Sequence, residues 1–124
     1  MPKERKSIDL LSNKELWGLA KDVMGSVGLS RRTAESWYVS ESNDKTTGSI
    51  QFNLPRIVEE SWFNNQILRG IQSHFEDYDC LDKGYKIQTT EDPKNIFVEN
   101  GDNRYSLNLQ IEEYRCKILI KRAI

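Results

Sequence analysis

The chain has 124 residues, 18 Lys and Arg against 19 Asp and Glu, and a formal net charge of −1. That length accommodates one hydrophobic core without staples, and three Trp, five Tyr and four Phe are too many for a chain that stays unfolded. The lack of an apolar run of about 18 residues excludes a membrane-spanning helix, and the near-neutral charge excludes a uniformly basic nucleic-acid binder.

Residues 1–8 read as a flexible basic tail, and residues 9–124 as a single domain. The start "MPKERKSIDLL" has no apolar h-region, so the expectation is a cytoplasmic protein without a secretory signal. Ser12 and Glu15 form a capping box that opens a helix. Leu16, Trp17, Ala20, Val23, Met24 and Val27 recur at helical spacing along it, and Gly25 and Gly28 bracket its end. Ser30 is placed to cap a second short helix, Arg31 to about Ser36.

From Trp37 the period changes to two. "WYVS" and "SIQFNL" read as strands joined by the polar tip "ESNDKTTG", and Pro55 stops the second. A longer helix follows from about Glu60 to Phe75, with Trp62, Phe63, Ile67, Leu68, Ile71 and Phe75 on one broad stripe. Beyond the acidic turn "EDYDCLDKG", strands are expected around Tyr85 and Ile87 and at 96–98. Two more alternate from Tyr105 to Ile111 and from Cys116 to Ile120. Asn100-Gly101 supplies the positive φ angles of a hairpin turn. The expected fold is α+β: an antiparallel sheet of five or six strands with two amphipathic helices packed on it. Trp17 and Trp62 are the natural candidates to cover the apolar face.

Charge is distributed unevenly. Residues 1–37 carry seven Lys and Arg against five acids, 38–82 three against eight, and 83–124 eight against six. A phosphate-bearing partner would therefore meet the ends of the chain. "LAKDVMGSVGLSRRTAESWY" resembles a helix-turn-helix unit: an apolar helix, a glycine-bearing turn, then a polar helix that begins with arginines. The resemblance implies that Arg31, Arg32, Thr33 and Ser36 face nucleic acid, while Ala34 and Trp37 pack inward. The turn "GSVG" is longer than such units usually have.

The order helix, two strands, helix, two strands is also similar to half of a LAGLIDADG homing endonuclease, and "LWGLAKDVMGS" echoes that motif. The family places a metal-binding acid immediately before the glycine, where this chain has Met24. The resemblance therefore implies a degenerate domain without nuclease activity.

Enzyme signals are sparse. Asp92 and Lys94 have the acid-x-Lys spacing of metal-dependent nucleases, but Pro93 between them favours a loop. Glu76, Asp77, Asp79 and Asp82 lack the glycine and twelfth-position glutamate of a calcium loop. His74 has neither a nucleophile nor an orienting acid in view. Cys80 and Cys116 show no metal-ligand spacing and read as reduced thiols. No cofactor is expected.

Two binding modes remain. Nucleic acid would meet Arg31, Arg32, Thr33 and Ser36. Tyr85, Phe97 and Tyr105 would add base stacking if they stood on the open sheet face beside Lys86, Lys94 and Arg104. The alternative is an adaptor or inhibitor of another macromolecular complex. It would use Asp77, Asp79 and Asp82, or the last strand as a free edge, with Lys117 and Lys121 on it.

Overall fold

A computed structural model describes residues 10–29, 35–44, 46–77, 85–100 and 103–123. Within them the order is α1 (Asn13–Ser26), β1 (Glu35–Glu41), β2 (Thr47–Asn53), α2 (Glu60–Asp77), β3 (Tyr85–Thr89), β4 (Asn95–Asn100), β5 (Asn103–Glu112) and β6 (Arg115–Ala123). The architecture is α+β, two helices on one antiparallel sheet that does not close.

The ends of α1 follow from local chemistry. Ser12 Oγ accepts from the Glu15 N–H at 3.4 Å, which satisfies one of the orphan donors of the first turn. At the other end Leu29 N–H donates to the Met24 carbonyl and Gly28 N–H to the Gly25 carbonyl. That pair of bonds is a Schellman motif, and Gly28 occupies its left-handed position with φ +83°. The "turn" of the helix-turn-helix resemblance is thus a helix cap that sends the chain away from the helix axis. Glu35 and Ser36 already belong to β1, so the helix expected over Arg31–Ser36 does not reach its predicted end. Arg31, Arg32 and Thr33 lie outside the described residues.

The strand order is β1-β2-β6-β5-β4-β3, antiparallel throughout. β6 therefore lies inside the sheet, paired on one side with β2 from Thr47↔Lys121 to Asn53↔Arg115 and on the other with β5. This corrects the expectation of a free terminal edge. Lys117 and Lys121 alternate with Cys116, Ile118 and Ile120, so they mark the wet face of a central strand and guard no edge. The edges are β1 and β3. Asn100 pairs with Asn103, and residues 101 and 102, on which half of the expected Asn100-Gly101 turn falls, lie outside the described residues.

The period-2 pattern sorts the sheet into two faces. Ile50 and Phe52 of β2, Ile118 and Ile120 of β6, Leu107 and Leu109 of β5, and Ile96 and Val98 of β4 are buried on the helix side. α1 covers them with Leu16, Leu19, Ala20, Val23 and Met24, and α2 with Phe63, Ile67 and Ile71. The tryptophans do not take the central place expected of them. Trp17 is 43% exposed and meets Trp37 edge-on at 4.8 Å between ring centroids, and Trp62 is 37% exposed. One helical position decides this: the buried stripe of α1 runs through Leu19 and leaves Trp17 at its flank.

The helices themselves approach closely at Gly70. A Cβ there would stand 3.0 Å from the Val23 Cα and 2.9 Å from the Ser26 Cβ, distances that only glycine accommodates.

The β5–β6 hairpin turns through Glu113 and Tyr114, and Glu113 has φ 57° without being glycine. A left-handed residue with a Cβ is strained by roughly 1–2 kcal/mol. Part of the gain from removing that strain is cancelled by the greater entropy of glycine in the unfolded chain. Glu113→Gly is accordingly expected to stabilise the protein by about 0.5–1 kcal/mol, read as a raised urea midpoint at unchanged m-value.

The β1–β2 tip is held differently. Asp44 accepts from the Ser42 hydroxyl at 2.6 Å and from both the hydroxyl and the N–H of Thr46. These bonds, that of Ser42 foremost, hold its carboxyl below the usual carboxylate range. The sign is that of a depressed acid. The contribution is full at neutral pH and is lost as pH falls through the folded-state value.

Candidate functional site

Among the described residues no helix or loop covers the second face of the sheet, and its side chains can be read from the register. One row across the strands is Tyr38, Gln51, Lys117 and Gln110; the next is Ser40, Ser49, Leu119, Asn108 and Asn95; the third is Thr47, Lys121, Ser106, Phe97 and Gln88. Arg104, Glu99 and Lys86 follow at one end, and Arg115 with Glu112 at the other. The described side chains of this face thus include Lys86, Arg104, Arg115, Lys117 and Lys121 against Glu99 and Glu112. A protein near neutrality overall has sorted a basic excess onto one surface.

The aromatics divide in the same way. Phe97 belongs to the open face, and the Arg104 guanidinium lies over its ring at 4.6 Å while Arg104 Nε pairs with Glu99 at 3.3 Å. Tyr38 is half-exposed at the β1 side of the face. Tyr105 is on the opposite side, fully buried, so its expected stacking role is withdrawn. The side chain of Tyr85 lies outside the described residues. Lys94 stands before β4 and pairs with Glu60 at 2.8 Å; this hydrogen bond, reinforced by charge attraction, raises its pKa. Lys86, Lys117 and Lys121 have no described carboxylate within ion-pair distance.

A chain of amides crosses the face. Gln110 Nε2 donates to Asn108 Oδ1, Asn108 Nδ2 to Asn95 Oδ1, and Asn95 Nδ2 to Asp92 Oδ2, each at 2.8 Å. It borders a groove of about 550 Å³ at the free end of β5, with Lys117 and Arg115 beside it. Asp92 also accepts from the Lys94 N–H at 3.0 Å, so it organises the β3–β4 turn, as the loop reading of this stretch anticipated.

His74 is the largest departure from sequence reasoning at the site level. It does have an orienting acid: Nδ1 lies 2.6 Å from Asp22 Oδ2, joining α2 to α1 across 52 residues. The imidazole is 1% exposed and the carboxylate borders a surface cleft with Ser26, Gln66 and Arg69. No local spacing could have revealed this pair. Gln66 Nε2 donates to the Ser26 carbonyl in the same seam, so the contacts here tie the two helices together. No group of three or more His, Cys, Asp or Glu that could hold a metal occurs among the described residues. Met24, where the homing-endonuclease resemblance would place its metal-binding acid, is buried in the core.

Cys116 is buried on β6, and its thiol points to the Tyr114 carbonyl at 3.8 Å. Burial pushes the thiol up to about 12, far from the depressed values of nucleophilic cysteines. Native protein at pH 8 is therefore expected to leave Cys116 unmodified by iodoacetamide. Peptide mapping should find it alkylated only after denaturation.

Of the remaining sequence candidates, Asp77 ends α2, whereas Asp79, Asp82 and Cys80 lie outside the described residues. Ser36 is a β1 residue. Lys117 and Lys121 share the open face, brought beside Arg104 and Phe97 by strand pairing. No described helix is long and apolar enough to cross a membrane. The chain matches no family model, and no curated protein or solved structure is significantly similar to it.

Proposed function

We propose that the protein binds nucleic acid through the open face of its sheet. The observation that carries this reading is the sorting of Lys86, Arg104, Arg115, Lys117 and Lys121 onto one uncovered surface that also presents Phe97 and Tyr38. Lys86, Lys117 and Lys121, which pair with no described carboxylate, are available to neutralise phosphates, which supplies most non-specific affinity. The half-exposed Tyr38 ring supplies a stacking platform, and the Arg104 guanidinium over Phe97 offers a second planar surface. The role proposed is binding, without a catalytic step.

The test is fluorescence anisotropy with labelled DNA and RNA at two salt concentrations. Micromolar or tighter binding that weakens as salt rises supports the reading; no binding at low salt sinks it. Arg31→Ala with Arg32→Ala belongs in the same experiment. A greater loss from that pair than from the sheet lysines moves the interface to the segment before β1.

A second reading, a protein-binding adaptor, is favoured by one patch. Ile57 is 69% exposed beside Val58 and the half-exposed Trp62, ahead of and within the first turn of α2. Arginine and sheet-lysine variants would leave such a partner bound, and Ile57→Asp would release it.

A further inference from the structure

We infer that the open face takes single-stranded nucleic acid, with an unpaired base meeting Gln110 in the groove at the free end of β5. This rests on the nucleic-acid reading above and adds to it the form of the ligand. The first ground is shape. Six strands side by side span about 24 Å between the outer pair, twice the width of the major groove of a DNA duplex, about 12 Å. A helix or a two-stranded ribbon enters that groove; a six-stranded face does not. Major-groove base edges of an unbent duplex are therefore out of reach, whereas a single strand can lie across the rows.

The second ground is the polarity of the amide chain. An asparagine or glutamine side chain can be turned either way, but a carboxylate only accepts. Asp92 Oδ2 accepts from Asn95, which sets Asn95 Oδ1 to accept from Asn108, and Asn108 Oδ1 to accept from Gln110. The direction propagates through three amides and leaves Gln110 Oε1 as an acceptor engaged by no described residue. Successive bonds of this kind polarise one another. Lys117 is the cross-strand partner of Gln110, and Arg115 lines the same groove together with Glu60 and Glu112. An acceptor paired across the strands with a lysine suits a base whose Watson–Crick N–H donors are free while its phosphate meets that lysine. In a duplex those donors are already bonded to the opposite strand.

The test uses the whole chain and fluorescein-labelled dA, dC and dT homopolymer oligonucleotides, with the matching dA·dT duplex, all by anisotropy at one low salt concentration. Single strands are expected to bind at least tenfold tighter than the duplex. Gln110→Ala, at an exposed position, is expected to lower the ratio of single-strand to duplex affinity about fivefold. Lys117→Ala should weaken both alike and preserve the ratio. Duplex binding as tight as single-strand binding, or a ratio unmoved by Gln110→Ala, overturns this inference and leaves the broader nucleic-acid reading standing. Failure of every probe to bind overturns that reading, and this one with it.

Discussion

Reversing two charges, Lys117→Glu with Lys121→Glu, is expected to lower affinity for a labelled single-stranded oligonucleotide by about two orders of magnitude at low salt. It should also flatten the dependence of log K on log salt by about 1.4 units, about 0.7 per lost phosphate contact on a single strand. The expectation rests on placement. Both lysines project from the central strand β6 onto the uncovered face, so a strand of nucleic acid crossing the sheet in any direction passes near them. Neither has an acidic partner among the described residues, so neither substitution breaks an ion pair that holds the fold. Far-UV circular dichroism and the melting temperature should therefore stay close to those of the parent. Lys117→Gln with Lys121→Gln should give a smaller loss, because it removes attraction without adding repulsion. Unchanged affinity in the charge-reversed protein would remove the open face from consideration.

Tyr105→Ala is expected to destabilise the fold by about 3–5 kcal/mol. The ring is fully buried on β5, its hydroxyl accepts from the Leu10 N–H at 3.2 Å, and the Arg122 guanidinium lies 5.4 Å from the ring centroid. Truncation opens a cavity under the chain that leads into α1, leaves the Leu10 donor buried without that acceptor, and takes away the cation–π contact. Against a total stability of about 5–15 kcal/mol, such a loss removes a large fraction. The midpoint of thermal unfolding should fall by roughly 10–20 °C. Tyr105→Phe separates the terms: it keeps the ring and removes only the hydroxyl, for about 1 kcal/mol. A Tyr105→Ala protein that melts with the parent would mean the ring is not packed as described.

Much of the fold was readable because the relevant forces act within a few residues. Ser12 and Gly28 mark the ends of α1 through bonds that span three to five positions. The alternation from Tyr105 to Ile111 announces a strand with one dry face, because neighbouring side chains must point to opposite sides. Helical stripes were readable to about one position. That was enough to find α1 and α2, but not enough to tell Trp17 from Leu19 as the residue that faces the sheet.

Strand order was not readable from these patterns. Lysines in β6 fit either an exposed edge or the wet face of an interior strand, and nothing local separates the two. Pairing decides it, and pairing partners such as Ile50 and Ile118 are far apart in the chain. The functional consequence is direct. Pairing of β6 with β5 and of β5 with β4 puts Lys117 and Lys121 on one surface with Arg104 and Phe97, and pairing of β6 with β2 moves the two lysines to the middle of that surface.

The sequence by itself determined both described helices, the ends of α1 and the two-faced character of the strands, since capping and periodicity are local physics; it did not place Glu35 and Ser36, expected in a helix and found in β1. Tertiary structure alone decided which strand lies at the centre, that His74 meets Asp22, and that a nearly neutral chain presents a basic face. Those depend on contacts between residues tens of positions apart, which form only when burial of the shared core outweighs the entropy of bringing them together.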